Sequence, residues 1–241
     1  MAGRLILATV GTSALDRKKL EPLYLWEGYQ SIRVELSSPV LQKFHSWVQE
    51  EGIPRRVVQF IDTYVDALCR LDIAEEVKKP PKETNIFSGE MSSLHLMYGK
   101  SDKDSDPMYE ESDKDPDLKD LNPQTDTVVL LLSDSAEGVL CGLLHRQWLS
   151  QGQFLRSQNV VPKLQIVDGL QVENLPQFLQ KGLEKFCETL REYTRGRTQK
   201  PLLCATGGFK SLIPYSTFFS LAYEIPMFFV FEELSLSLIH I

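Results

Sequence analysis

The sequence predicts an α/β protein with a Rossmann-like, mainly parallel sheet and helices on both faces. Apolar segments of strand length alternate with longer segments of helical periodicity, and several of the apolar segments end in polar turns. This alternation favours right-handed crossover connections and a parallel sheet. Because the carboxyl ends of parallel strands share one edge, where open α/β sheets bind ligands, we expect the polar turns to form one site.

Apolar periodicity gives the individual elements. Short apolar runs predict strands at 4–10, 127–132, 163–167, 201–205 and 226–231. Helical spacing predicts helices near 40–51 and 55–77, around 88–98, and at 137–151, 174–195 and 209–223. Residues 14–38 are ambiguous, since Ile32–Leu36 alternates like an edge strand but Pro39 soon follows.

Length and composition fit one domain, which we expect to span residues 1–235. The chain has 241 residues, of which 42% are hydrophobic, enough for a sizeable core. We expect no signal peptide and no membrane-spanning segment, and therefore a cytoplasmic protein. The cysteines are widely spaced, which favours reduced thiols over a disulfide framework or a metal site; they are Cys69, Cys141, Cys187 and Cys204. No metal or other cofactor is expected.

Negative charge is concentrated in one segment. The net charge is −7, and residues 100–126 contain eight Asp and two Glu against four Lys, so the remainder is nearly neutral. Three prolines and few large apolar residues predict a solvated, disordered insertion over 99–126. The spacing of Asp102, Asp104 and Asp106 resembles a calcium loop, but Pro107 stands where that loop requires glycine, which disfavours calcium binding.

The turn after the 201–205 strand has the features of a phosphate-binding loop. Thr206-Gly207-Gly208-Phe209-Lys210 joins a strand to a helix, whose unpaired N–H groups and dipole favour negative charge. Lys210 adds a full positive charge, although an ordinary turn with a surface lysine fits the pattern equally well. Gly11-Thr12-Ser13 follows the first strand in the same way, with two hydroxyl groups.

Several common enzyme motifs are absent. Phe209 separates Gly208 from Lys210, so the turn is not a Walker A loop, and no GxGxxG or GxSxG motif follows a strand. The histidines His45, His95 and His145 fall in helical patterns, where a structural role is the commoner interpretation. Asp134 and Glu137 could act as an acid–base pair, but carboxylates at a helix start more often cap the helix or interact with its dipole.

Five motifs in order resemble those of the CARF domains, the CRISPR-associated Rossmann folds of type III immunity. They are Thr9-Val10-Gly11-Thr12-Ser13, Ser88-Gly89-Glu90-Met91-Ser92-Ser93-Leu94, Ser133-Asp134-Ser135-Ala136-Glu137-Gly138, Gly169-Leu170-Gln171-Val172 and Ala205-Thr206-Gly207-Gly208-Phe209-Lys210. The resemblance extends over residues 4 to about 234. The chain is most similar to the branch that contains stand-alone ring nucleases.

The resemblance implies a cyclic oligoadenylate ligand, with cyclic tetra-adenylate matching the two-fold axis of a homodimer. Ring nucleases of this kind cleave without metal: the ribose 2′-hydroxyl attacks the adjacent phosphate. By this resemblance Ser13 and Lys210 are the catalytic residues. The ligand-binding residues it implies are Gly11, Thr12, Ser133, Asp134, Ser135, Thr206, Gly207, Gly208 and Phe209. The alternative for Ser13 and Ser133 is that they only cap helices.

Two other functions stay open at this point. One is a sensor domain that binds the cyclic ligand, cleaves it slowly or not at all, and belongs to a longer effector or carries a further winged-helix domain. The other is a nucleic-acid-binding regulator, which has less support because no basic stripe appears and we expect no direct DNA binding. No HEPN-type Arg-x4-6-His motif occurs in the chain.

The last six residues, 236–241, have an unusual sequence. Leu-Ser-Leu-Ile-His-Ile is what the end sequence of a transposase-based sequencing adapter encodes, so we expect this segment to be an assembly artefact and exclude it from the fold. The alternative is a genuine final strand, because Leu234, Leu236 and Leu238 alternate as strand residues do.

Overall fold

The structure is a computed structural model that describes residues 3–15, 20, 23–36, 41–70, 89–98, 118, 120–151, 160–171, 174–207, 210–229 and 237–239. The strands are β1 (Leu5–Thr9), β2 (Thr127–Ser133), β3 (Lys163–Val167), β4 (Pro201–Cys204), β5 (Met227–Phe229) and β6 (Ser237–Ile239). The helices are α1 (Leu23–Leu36), α2 (Leu41–Val48), α3 (Arg55–Cys69), α4 (Gly89–Tyr98), α5 (Ala136–Ser150), α6 (Leu175–Gln177), α7 (Leu183–Thr194) and α8 (Leu212–Tyr223). None of the described helices is long and apolar enough to cross a membrane.

The strands form one sheet in the order β3-β2-β1-β4-β5-β6. The first five pair in parallel, and β6 is antiparallel to β5 at one edge. Strand β1 is buried along its whole length, as its uninterrupted apolar sequence predicts for a central parallel strand. The predicted fold class, a mainly parallel α/β sheet, is therefore confirmed.

Side chains alternate between two hydrophobic cores, one on each face of the sheet. Ile6 and Ala8 point to the core that α1–α5 cover, whereas Leu5 and Leu7 point to the core that Phe178, α7 and α8 cover. The helices after β1 thus lie on one face, and the helix that follows the adjacent β4 lies on the other. This change of face makes the gap between β1 and β4 the topological switch point, where open α/β sheets bind ligands.

The structure resolves one ambiguous segment and modifies one predicted helix. Ile32–Leu36 is the end of helix α1, not an edge strand, because Leu25, Tyr29, Ile32 and Leu36 are buried at helical spacing. The helix predicted over 174–195 contains a π-helical segment, Phe178–Gly182, between α6 and α7. The predicted continuation of the 55–77 helix beyond residue 70 lies outside the described residues.

The ends of the acidic segment are joined at the amino edge of the sheet. Tyr98 Oη donates a 3.2 Å hydrogen bond to Asp126 Oδ2, and the backbone N–H of Arg4 donates to Asp126 Oδ1 at 2.6 Å. Leu118 and Leu121 are buried in the core, so the part of the predicted insertion nearest β2 packs against the domain. Residues 99–117, with the calcium-like spacing, lie outside the described residues. The segment therefore begins and ends opposite the edge where the ligand site is predicted.

Strand β6 falls in the segment that we attribute to an adapter sequence. Phe228 pairs with Leu238 in the antiparallel register, so the segment takes the strand conformation that the alternative interpretation requires. Conformation alone does not identify the origin of a sequence, and the artefact hypothesis stays a prediction. Residues 230–236, 240 and 241 lie outside the described residues.

Candidate functional site

Four polar loops follow the carboxyl ends of four adjacent strands. In spatial order they follow β3, β2, β1 and β4, and strand register brings the ends of neighbouring strands level: Ser133 pairs with Val167, and Ala8 with Cys204. The predicted site residues that the structure describes all lie in or beside these loops. Gly208 and Phe209 lie outside the described residues.

A buried threonine joins the loops on the two sides of the switch point. Thr9, at the end of β1, is 2% exposed, and its Oγ1 donates a hydrogen bond to the carbonyl of Gly207 beyond β4. The same hydroxyl lies 3.5 Å from the carbonyl oxygen of Cys204. Thr9 was part of a motif in the sequence but was not among the predicted site residues. The sequence signal that could have identified Thr9 as a site residue is its position as a polar residue at the carboxyl end of an apolar strand.

The loop after β1 is compact. Ser13 begins a 3-10 turn, Ser13–Leu15, which the 2.9 Å hydrogen bond from Leu15 N–H to Thr12 O closes. From α3, Tyr64 Oη donates to the carbonyl of Ala14 at 3.3 Å. Gly11 is buried, Thr12 is exposed and Ser13 is half-buried. The turn is therefore anchored by Tyr64 of α3, while the Thr12 side chain faces solvent.

The loop after β2 contains a helix cap. Ser135 is the N-cap of α5 and accepts a 3.0 Å hydrogen bond from the N–H of Gly138. Ser133 is buried, and its Oγ lies 2.8 Å from Ser135 Oγ. A Cβ at Gly138 would overlap Ser133 Oγ, so only glycine fits there without displacing the serines. In this loop the capping role belongs to Ser135, and Ser133 supports it.

Asp134 connects the loops after β2 and β3. Its Oδ2 accepts a 2.8 Å hydrogen bond from the N–H of Gly169, and its carbonyl accepts one from Gln171 Nε2 at 3.0 Å. Within the described part of the chain, the buried Asp134 Oδ1 has no hydrogen-bond partner. A buried carboxylate oxygen without a donor is costly, and a ligand N–H or O–H would satisfy it.

Sequence reasoning missed a close backbone contact beside this connection. Gly169 has a φ of +77°, which favours glycine, and a Cβ at Gly182 would overlap the Gly169 carbonyl. Gly182 ends the π-helical segment, so the two glycines bring the π-helix against the β3 loop. π-Helical segments are rare and are frequent at functional sites. The only sequence signal was a pair of glycines 13 residues apart.

The loop after β4 leads into a helix start without a side-chain cap. Ser211 is the N-cap of α8, but its side chain makes no capping hydrogen bond. Lys210 is exposed in the turn before it, while Gly207 is buried. Positive charge and helix N–H groups thus occur together at the carboxyl edge.

Asp134 and Glu137, for which a role as helix-start carboxylates was favoured over an acid–base pair, have different neighbours. Asp134 accepts a hydrogen bond from Gly169, whereas burial, and after it the Glu137 carboxylate, raises the pKa of the Tyr29 hydroxyl on α1. His145 is buried, with Nδ1 2.5 Å from the carbonyl of Cys141, in line with a structural role. Over the described ranges, no three His, Cys, Asp or Glu side chains are grouped to hold a metal ion. The four cysteines form no disulfide.

Comparison with protein families gives one informative match. The family model described as CRISPR-associated protein (Cas_APE2256) matches residues 117–240, which is just over half of the chain and includes the loops after β2, β3 and β4. Comparison with curated proteins gives no significant match. The site residues and the matched region coincide in three of the four loops. The chain therefore belongs to the CRISPR-associated protein family Cas_APE2256.

Proposed function

We propose that this protein is a CARF-type ring nuclease, which binds a cyclic oligoadenylate at the carboxyl edge of the sheet and cleaves it to switch off type III CRISPR signalling. Membership in a CRISPR-associated family supports the biological setting. The observation that carries the proposal is the Thr9–Gly207 hydrogen bond, which joins the two CARF-like signature loops at the switch point.

In the proposed reaction, the 2′-oxygen of one ribose forms a bond to the adjacent phosphorus and loses its proton, while the bond from phosphorus to the 5′-oxygen breaks and that oxygen takes up a proton. The products are a 2′,3′-cyclic phosphate and a 5′-hydroxyl. The protein must hold attacking and leaving oxygens in line and stabilise charge on the phosphoryl oxygens.

The loops after β1 and β4 fit the phosphate. Lys210 neutralises the charge that develops on the phosphoryl oxygens, and the Ser13 hydroxyl orients the phosphate or the attacking 2′-hydroxyl. The exposed Lys210 and the uncapped start of α8 support this assignment. Gly11, Thr12, Thr206, Gly207, Gly208 and Phe209 shape the phosphate-binding loops.

The loop after β2 fits the nucleoside. Asp134 Oδ1, a buried acceptor without a donor among the described residues, suits a ribose hydroxyl or the adenine amino group. Ser135 is engaged in capping α5 and Ser133 bonds to Ser135, so we assign these two hydroxyls to holding the loop that presents Asp134.

A homodimer would supply the second half of a cyclic site, and helix α8 offers a surface for it. The helix has no charged residue, and four large side chains face solvent: Tyr215 (38% exposed), Phe218 (70%), Leu221 (49%) and Tyr223 (46%). A helix face without charged residues can pack against its own copy, because a two-fold contact through it brings no like charges together. Since α8 starts at the Lys210 turn, pairing through it would bring both copies of that turn to one ligand.

The proposal is tested by incubating the full chain with radiolabelled cyclic tetra-adenylate and cyclic hexa-adenylate, without and with EDTA, and separating the products. We expect linear fragments ending in a 2′,3′-cyclic phosphate in both conditions. Binding with no cleavage would indicate the sensor alternative, and absence of binding to both rings would overturn the proposal.

A further inference from the structure

A groove of about 420 Å³ runs along the outer side of β3, the edge strand of the sheet. Its floor is the strand segment 164–168. Helix α2 forms one wall with His45 and Val48, and helix α7 forms the other with Glu188 and Glu192. This side of β3 pairs with no other strand of the described chain.

The floor presents backbone groups of the strand. Gln165 Nε2 donates a 2.8 Å hydrogen bond to the carbonyl of Ile166, and Gln165 Oε1 accepts one from Tyr193 Oη at 3.2 Å. The Gln165 side chain can reach the Ile166 carbonyl only because this carbonyl points away from β2. Since backbone groups alternate in direction along a strand, Leu164 and Ile166 direct their N–H and C=O groups into the groove. A flexible side-chain amide on this carbonyl can be exchanged for the N–H of an incoming strand.

The walls restrict what can pair with this edge. Because α2 and α7 both border the strand, the edge of a second sheet that carries its own helices would collide with them. A single extended segment without flanking helices meets no such obstacle. The five-residue length of β3 sets the length of the pairing segment.

The walls also differ in chemistry. A strand that binds in the groove directs alternate side chains towards the two walls. Side chains on the α2 side contact Val48 and the apolar Leu164 and Ile166, and those on the α7 side contact the carboxylates of that helix. Among the described lining residues, three carboxylates, from Asp168, Glu188 and Glu192, stand against one ammonium group, from Lys185, which is 2.6 Å from Glu188. Asp168 also lies 3.8 Å from His45 and 4.0 Å from Lys181, so the α7 carboxylates carry the charge argument.

We propose that this groove binds an extended basic peptide as an added strand on β3, with apolar side chains towards α2 and Lys or Arg side chains towards α7. The partner is a protein segment of alternating apolar and basic residues, recognised by backbone pairing and by charge complementarity. The groove includes none of the residues assigned to the cyclic oligoadenylate site, so this inference does not depend on that proposal.

The test is an NMR titration of the 15N-labelled full chain with acetyl-Lys-Val-Lys-Val-Lys-amide. We expect chemical-shift changes concentrated at residues 163–168 and slower hydrogen exchange of the Leu164 and Ile166 amides. The matched peptide acetyl-Lys-Pro-Lys-Pro-Lys-amide has the same charge but two fewer backbone N–H groups, and we expect it to cause neither effect. Equal binding of both peptides, or shifts confined to other parts of the chain, would overturn the proposal.

Charge reversal gives a second test. The double substitution Glu188→Lys and Glu192→Lys should weaken binding of the valine peptide by about tenfold or more. Glu184→Lys, an exposed charge reversal on α7 that does not line the groove, should leave binding within about twofold. An unchanged affinity in the double variant, with its fold verified by circular dichroism, would contradict the basic-peptide assignment.

Discussion

Thr9 and Gly207 lie 198 positions apart in the sequence, yet the hydroxyl of the first donates a hydrogen bond to the carbonyl of the second at the switch point of the sheet. Replacing Thr9 by Val keeps the side-chain shape and leaves the buried carbonyl without this donor. We expect the free energy of unfolding to fall by about 1–3 kcal/mol. We also expect weaker binding of cyclic tetra-adenylate, because the two loops are no longer joined.

Urea denaturation and titration calorimetry measure the two effects of Thr9→Val. Thr63→Val is the matched control, since the Thr63 hydroxyl bonds to a carbonyl of its own helix at the exposed surface. If both variants bind the ligand as tightly as the natural chain, the Thr9 bond has no part in the site.

Gly138 is the position where a single methyl group should disturb the β2 loop. A Cβ there would lie 2.9 Å from the Ser133 carbonyl oxygen and would overlap Ser133 Oγ, so Gly138→Ala must displace the paired serines. We expect a loss of about 1–3 kcal/mol in stability and weaker ligand binding. Thermal denaturation should show little loss for the control Gly28→Ala, where the new methyl would meet only the Phe60 ring at 3.3 Å and helix propensity improves.

Asp126 should make stability depend on pH. Burial is the main cause that raises the pKa of its carboxyl, against the opposing effect of hydrogen bonds from Arg4 and Asn122. A folded-state pKa above the unfolded value means that the contribution to stability is full below the unfolded pKa of 3.8 and is lost as pH rises through the folded value. The difference in unfolding free energy between the natural chain and Asp126→Asn should therefore shrink from acidic pH towards neutrality. A difference that grows with pH in urea denaturation would contradict this.

Phe218 should control the oligomeric state. Phe218→Glu places a charge at the centre of the apolar face of α8, so two copies would bury like charges against each other. Sedimentation equilibrium should show a dimer for the natural chain and a monomer for this variant. Val58→Glu is the control, since Val58 is 39% exposed on α3, on the opposite face of the sheet. If Val58→Glu dissociated the dimer and Phe218→Glu stayed dimeric, the interface would lie on the α3 side of the sheet and not on the α8 side.

Most of the fold could be predicted because apolar periodicity reports burial directly. The strand at 163–167 was predicted at its observed bounds, whereas Ile32–Leu36 stayed ambiguous because five residues fit both a period of two and a helical period. The π-helix at Phe178–Gly182 depends on a tertiary contact with Gly169, which no local pattern encodes.

The site was predictable as a set of loops but not as a set of contacts. Strand order brings the four loops together, and the strand–turn patterns already indicated a shared edge. Long-range hydrogen bonds, such as Gly169 N–H to Asp134, assign the individual roles, and they depend on loop conformation. This is why Gln171 was missed, whereas the capping of α5 by Ser135 and not Ser133 follows from a local bond to Gly138.

Cleavage by the Lys210→Ala variant tests the central claim most directly. Labelled cyclic tetra-adenylate is incubated in single-turnover conditions with the natural chain, with Lys210→Ala, and with Lys200→Ala, a control that removes an exposed lysine beside the opposite end of β4. We predict that Lys210→Ala lowers the cleavage rate by about a hundredfold or more, while Lys200→Ala cleaves at the natural rate. Undiminished conversion of the ring by Lys210→Ala would contradict the account.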